Sequence, residues 1–176
     1  MTDEEVDAFL QERQTMNVAT FGPDGRIHLV AMWYGFIDGK PAFETFTKSQ
    51  KIKNLRRDNR ITVLVEDGDQ YEELRGVEIV GTAEVTEDPE VVMPVARSVV
   101  DRYFGVENPD DLDAVAAGLA HKRSAVVINA EKVVSWDHHK LAGTYGRPAD
   151  GLDLDLDLSR GPRSVACVAM RRRRHG

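Results

Sequence analysis

The stretch 17-NVATFGPDGRIHLVAMWYGFIDGKPAFETF-46 decides the fold. Three runs rich in β-branched and aromatic residues, TMNVATF, RIHLVAMWYGF and KPAFETF, are separated by GPDG and by Asp38-Gly39. Turn residues of that kind between apolar runs mark hairpins. Alternation in the third run puts Ala42, Glu44 and Phe46 on one face and Phe43, Thr45 and Thr47 on the other. The domain is therefore expected to open with three antiparallel strands.

Working outward, Val6, Phe9 and Leu10 of DEEVDAFLQER lie at helical spacing behind an acidic first turn, which predicts a short amphipathic helix on the domain edge. On the other side, Ser49 to about Arg57 reads as a short helix capped by Ser49 or Thr47, with Ile52 and Leu55 facing the core. RITVLVE and VEIVGTAEV, across the turn 67-DGDQ-70, predict two more strands, the second bulged near Gly76 or Gly81. Pro89 then opens a helix through EVVMPVARSVVDRYF with a break or kink near Pro94, DDLDAVAAGLAHK forms another, and SAVVINAEKVVSW returns to strand. The order does not alternate strand and helix as a parallel sheet would. It predicts a mainly β fold with peripheral helices, an antiparallel barrel closed or partly closed.

At 176 residues, with 41% hydrophobic and 30% charged side chains, the chain suits one soluble globular domain. Its acidic start has no apolar leader, and no uncharged run approaches the roughly 20 residues of a membrane helix. The expected compartment is the cytoplasm. Cys167 is the single cysteine, so no internal disulfide is possible, and no Cys/His spacing suggests zinc. A net charge of −7 argues against general nucleic-acid binding. Residues 150–176 hold six Arg and four Asp, leaving 17 cationic against 26 anionic side chains in residues 1–149. The domain is placed at 1–149. Residues 150–176, which begin with the Asp/Leu alternation GLDLDLDLSR, read as a low-complexity or disordered tail, with nucleic-acid contact through RRRR or strand pairing with a partner chain as the other readings.

Several catalytic patterns are missing. No G-x-G-x-x-G occurs, and 35-GFIDGK-40 has one residue too few between its glycines for a phosphate-binding P-loop. His138 and His139 are neighbours, a poor spacing for shared metal ligation, because adjacent strand residues point to opposite faces. His28 reads as a half-buried, hydrogen-bonded strand residue, and Glu72 with Glu73 as solvated turn charge. No serine sits in a nucleophile elbow.

One basic segment breaks the acidic background. Between Thr45 and Arg60, TFTKSQKIKNLRRDNR carries six cations. A strand ending in Thr45 and Thr47 and running into a helix that begins with Lys48, Ser49 and Lys51 aims hydroxyls, free N–H groups and ammoniums at one point. That geometry suits a phosphate. A solvated basic helix face is the other reading of the same residues. Spacing alone places Lys48, Lys51 and Asn54 along one groove, opposite Ile52.

The phrases 17-NVATFGPDGRIHLVAMWY-34, 51-KIKNLRRDNRITVLVEDG-68, 71-YEELRGVEIVGTAEV-85 and 134-VSWDHHKLAGTY-145 resemble the flavin/deazaflavin oxidoreductases of the pyridoxamine 5'-phosphate oxidase-like superfamily, the FMN-binding split β-barrels. The resemblance spans most of residues 5–145, and its SWDHHKL ending is similar to the branch that uses a deazaflavin. It implies a six-stranded antiparallel split β-barrel that forms a homodimer with two interfacial cofactor sites. It also implies that Ser49, Lys51 and Asn54 hold a cofactor phosphate, with Thr45, Phe46, Thr47 and Lys48 lining the approach and Val30 and Met32 against the ring. Gln70 and Tyr71 would reach over from the other subunit, with Trp136 and Lys140 as further contacts. Lys48 would stand in for a cation that relatives carry at the position of Ser49. The implied activity is hydride transfer from coenzyme F420 to an unsaturated small molecule. A longer cationic track of Lys48, Lys51, Lys53, Arg56, Arg57 and Arg60 would suit that coenzyme's polyanionic tail. The alternatives are an FMN-dependent enzyme acting on pyridoxamine phosphate or a similar substrate, and a non-catalytic cofactor, haem or tetrapyrrole binder. Because the cofactor carries hydride chemistry, no catalytic residue is assigned.

Overall fold

The computed structural model describes residues 1–12 and 15–141; the expected tail at 150–176 lies outside them. The strands are β1 (Met16–Phe21), β2 (Ile27–Met32), β3 (Gly35–Ile37), β4 (Lys40–Phe46), β5 (Arg60–Asp67), β6 (Arg75–Thr86) and β7 (Arg123–Asp137). The α-helices are α1 (Asp3–Gln11), α2 (Gln50–Arg57), α3 (Pro89–Tyr103) and α4 (Pro109–Ala120). All strands belong to one antiparallel sheet in the order β2-β1-β5-β6-β7-β4-β3.

That order closes the sheet on itself. In a flat sheet six spacings of about 4.8 Å would separate the edge strands by roughly 29 Å. Yet β2 and β3 are joined only by Trp33 and Tyr34, a link that spans at most about 11 Å. The sheet must curl into a half-barrel with its seam between β2 and the β3–β4 hairpin. There are seven strands where six were expected, because RIHLVAMWYGF does not run through as one strand. It breaks at Tyr34, which is fully buried and donates its hydroxyl to the Leu10 carbonyl at 2.7 Å.

Alternation fills the barrel. Met16 and Val18 of β1, Phe43 of β4, Ile61, Val63 and Val65 of β5, Val77 and Ile79 of β6, and Val126 and Ile128 of β7 point inward. Ile52 and Leu55 of α2 plug one end, and Phe9 and Leu10 of α1 join the same core. The helix α1 begins with a capping box between Thr2 and Glu5. On the outer face Ala42, Ala125 and Val127 pack against Val92 and Val95 of α3. Pro94 lies inside α3, which continues past it. The bulge expected in β6 falls between Val80 and Gly81, where an added Cβ would stand 2.1 Å from the Asn129 carbonyl. No helix among the described residues is long and apolar enough to cross a membrane.

Candidate functional site

The connection from β4 to α2 builds the site. Strand alternation sends Thr45 to the inner face, beside its cross-strand partner Ser124, and Glu44 to the outer face. Both Thr45 and Glu44 are buried. The chain leaves the sheet at Thr47, whose N–H donates to the Lys122 carbonyl and whose Oγ1 accepts from Ser124 at 3.0 Å. It then turns so that the Ser49 N–H bonds the Phe46 carbonyl and α2 starts.

Helix α2 lacks the usual compensation at its positive end. Ser49 sits at the cap position, but its hydroxyl makes no capping bond, and Oγ is buried without a partner among the described residues. No acidic residue occupies the first turn. The N–H groups of that turn have no intrahelical acceptor, and a cation, Lys51, lies where the helix dipole disfavours one. Lys51 Nζ donates to Thr45 Oγ1 at 2.9 Å. Burial, then the nearby Arg123 guanidinium, pulls its pKa below the ordinary lysine value, and Glu44 opposes the shift. An orphaned hydroxyl, open backbone donors and an under-compensated ammonium converge here. The arrangement fits an anion.

A second charged pair lies on the other face of β4. Arg123, at the start of β7, donates from Nη1 to Glu44 Oε2 at 2.6 Å and covers the Phe46 ring at 4.5 Å. The two residues are diagonal neighbours across β4 and β7, within reach of long side chains. Only 6% of the Glu44 side chain is exposed. Burial raises its pKa above the usual carboxylate value, against the pull of Arg123 and Lys51.

The expected residues therefore divide. Thr45, Thr47, Ser49 and Lys51 come together at one end of the barrel. Phe46 and Lys48 are exposed beside them. Met32 lines a cleft with Glu44 and Arg123, while Val30 packs half-buried on the barrel core. Asn54, expected on the outward groove, is fully buried and turned inward with Ile52 and Leu55. Its amide donates to Thr20 Oγ1 at 3.0 Å and its carbonyl oxygen accepts from Gln50 at 2.8 Å.

The longer cationic track is also interrupted. Arg56 pairs with Glu87, Arg57 donates to the Phe21 carbonyl, and Arg60 is bound to Asp58.

Gln70, Tyr71, Trp136 and Lys140 gather at the opposite end. Tyr71 packs against His138 at 4.7 Å, Trp136 covers Gly76, and Lys140 is paired with Glu5 of α1. Trp136 lies thirteen positions along β7 from Arg123, roughly 40 Å along the strand. His138 Nδ1 lies 2.6 Å from the Tyr71 carbonyl and His139 Nδ1 2.8 Å from Asp137, so the adjacent histidines turn to different partners. His28 is half-buried, but its Nδ1 has no partner among the described residues. Glu44 and Arg123 were not anticipated. The one available hint was a single carboxylate, Glu44, set between Phe43 and Thr45 in KPAFETF.

Comparison with known proteins gives the same outline. The family model described as pyridoxamine 5'-phosphate oxidase matches residues 2–137. The structure of conserved hypothetical protein Rv2991 from Mycobacterium tuberculosis is 46% identical, with 81% of this chain and 88% of that chain covered and a TM-score of 0.77. A structure described as F420 reductase is 26% identical, with 73% and 94% covered and a TM-score of 0.54. The haem storage protein HutZ from Vibrio cholerae, 15% identical with 77% and 93% covered and a TM-score of 0.60, shares the fold. No curated protein matches the chain. With a family match that runs from α1 to the end of β7, over the same half-barrel that carries the Ser49–Lys51 turn, the chain belongs to the pyridoxamine 5'-phosphate oxidase family.

Proposed function

We propose that this protein is a deazaflavin-dependent oxidoreductase that transfers a hydride from coenzyme F420 to an unsaturated small molecule. The observation that carries the proposal is the start of α2, where Lys51, the unpartnered Ser49 hydroxyl and the first-turn N–H groups form a cradle for a phosphate. The 26% identity to a protein described as F420 reductase supports that coenzyme. When bound, the deazaflavin supplies the hydride. The chain's own work is to hold the phosphate through Lys51 and Ser49, to offer the Met32 side of the seam as an apolar wall, and to exclude water. Asn54 contributes by fixing α2 to β1 through Thr20, and so positions the cradle instead of touching the anion.

Fluorescence titration of the purified protein with F420 and with FMN tests this reading. Saturable F420 binding is expected, and no binding of either coenzyme would refute it. Lys51→Ala is expected to weaken binding by about 1–3 kcal/mol through loss of a charge-assisted hydrogen bond, with the circular dichroism spectrum unchanged. Unaltered affinity in that variant would remove Lys51 from the site. One observation favours FMN instead: with Arg56, Arg57 and Arg60 engaged by the protein, the free cationic track is short. FMN, and not F420, identified as the chromophore released on denaturing the isolated protein would decide for FMN.

The proposal includes a homodimer in the cytoplasm. Ile27 and Leu29 of β2 are 55% and 63% exposed. Leu29 lines an apolar groove of about 330 Å³ with Ala19, Val63 and Leu64. Exposed apolar side chains of this kind, although Asn17, Thr62 and Glu78 line the same groove, suit cover by a partner, and a second copy would bring Gln70, Tyr71, Trp136 and Lys140 towards the cradle. Light scattering is expected to give twice the chain mass, and Leu29→Arg to shift it towards the monomer. A strict monomer at all working concentrations would exclude the shared site.

A further inference from the structure

We infer that the cleft at the barrel seam is a ligand site distinct from the anion cradle, built for a small planar molecule with apolar faces and a neutral amide or lactam edge. The cleft has about 340 Å³ between Thr15, Ala31 and Met32 at the end of β2, Trp33, Leu119 of α4, and the Glu44–Arg123 pair. Apart from Thr15 its walls are apolar. Trp33 is 48% exposed yet held, stacked on Tyr103 at 5.0 Å and edge-on to Phe104 at 5.6 Å. It offers a preordered aromatic surface for a flat ring.

The floor sets the polarity of the ligand. Glu44 is engaged through Oε2 alone, and among the described residues Oε1 has no hydrogen-bond partner. The Nε and Nη2 groups of Arg123 likewise have none there. A fixed acceptor thus stands beside fixed donors. An amide or lactam matches both, its carbonyl accepting from Arg123 and its N–H donating to Glu44, without disturbing the ion pair. A carboxylate or phosphate would be repelled by Glu44, or would have to strip Arg123 from it and leave a buried charge unpaired. Strand alternation puts the two sites on opposite sides of β4, Thr45 facing one and Glu44 the other. The Lys51 ammonium still acts by charge on Glu44 and Arg123. Selection against an anion in the cleft therefore rests on the Glu44 acceptor that such a ligand would meet directly.

A role for this cleft as the acceptor site rests on the function proposed above. There an α,β-unsaturated amide or lactam would place its carbonyl oxygen on Arg123. The bound coenzyme would supply the hydride to the β-carbon and water the proton to the α-carbon, while hydrogen bonds from Arg123 would polarise the carbonyl and Glu44 would hold the amide N–H.

Benzamide and benzoate, matched in shape and differing in charge, test the site on the full chain with no coenzyme added. The indole N–H resonance of Trp33 reports occupancy. Benzamide is expected to shift it saturably, and benzoate to bind roughly tenfold more weakly or worse. Glu44→Gln should erase that preference. Ala31→Trp, at an exposed strand position on the cleft wall, should abolish benzamide binding, and it serves equally if Glu44→Gln does not fold. No Trp33 shift with benzamide, an undiminished preference in Glu44→Gln, or unchanged benzamide affinity in Ala31→Trp would each overturn the inference. A protein that binds benzamide here but neither coenzyme refutes the proposed reaction and leaves the cleft standing; coenzyme binding without benzamide binding does the reverse.

Discussion

Replacing Arg123 with methionine is expected to destabilise the fold by about 3–5 kcal/mol at neutral pH, the usual cost of stranding one partner of a buried ion pair. Glu44 lies on a central stretch of β4, its side chain 6% exposed, with Ala125 opposite it on β7. Lys51 also pulls on its carboxyl, by charge without a hydrogen bond. Methionine keeps the apolar stem over Phe46 but removes the charge that Glu44 needs. The pH dependence follows from the direction of the Glu44 shift. Burial raises its folded pKa above the unfolded value, so between the two values the native state binds more protons, and this group's contribution to stability falls as pH rises. Without Arg123 the folded pKa climbs further. The deficit should be largest near pH 8 and shrink towards pH 5, while Arg123→Met combined with Glu44→Gln should recover most of it. Urea unfolding at both pH values checks this. An equal deficit at both, or no recovery in the double variant, would show that Glu44 carries no unpaired charge.

The sequence disclosed what depends on local chemistry. Alternation in KPAFETF placed Phe43 inward and Ala42 outward, as found. Asp38-Gly39 made a tight turn because both residues adopt positive φ, 50° and 74°. The Ser49 cap position and the Gly81 bulge were legible for similar reasons. What escaped depends on distant partners. The break between β2 and β3 lies within a continuous apolar run. Its cause is Tyr34 reaching Leu10, 24 residues away, together with Gly35 admitting Ser98 so closely that a Cβ would stand 2.4 Å from its hydroxyl. Helical spacing put Asn54 on the groove face with Lys48 and Lys51, and its burial is permitted by Thr20, 34 residues earlier. Glu44 and Arg123 are 79 residues apart, and neither predicts the other until the sheet curls. The nearness of Thr45, Thr47, Ser49 and Lys51 was readable because they belong to one turn of chain; the cleft beside them joins five separate segments, at Thr15, Ala31–Trp33, Glu44, Leu119 and Arg123.

Arg102→Met is expected to cost about 2–4 kcal/mol, through two lost hydrogen bonds to part-buried carbonyls, a weaker exposed one to Gln11, and the lost ring contacts. From α3, the guanidinium donates to the carbonyls of Leu10 at 3.1 Å, Gln11 at 3.4 Å and Glu12 at 2.8 Å. It also packs on the rings of Tyr34 at 4.8 Å and Phe36 at 5.0 Å. Helix α1 has no basic residue in its own last turn, so Arg102 supplies the cation that its C-terminal dipole and orphan carbonyls require. The same carbonyl of Leu10 receives the Tyr34 hydroxyl, which links α1, the β2–β3 break and α3 at one point. Arg102→Lys should recover little, since a point charge cannot reach three carbonyls while stacking on two rings. Amide hydrogen exchange is the direct measurement: protection should fall first across Phe9–Gln11, with the barrel strands following only as global stability drops. If α1 kept its protection while the whole domain lost stability uniformly, Arg102 would be acting as core packing and not as the clasp that holds the N-terminal helix on the barrel.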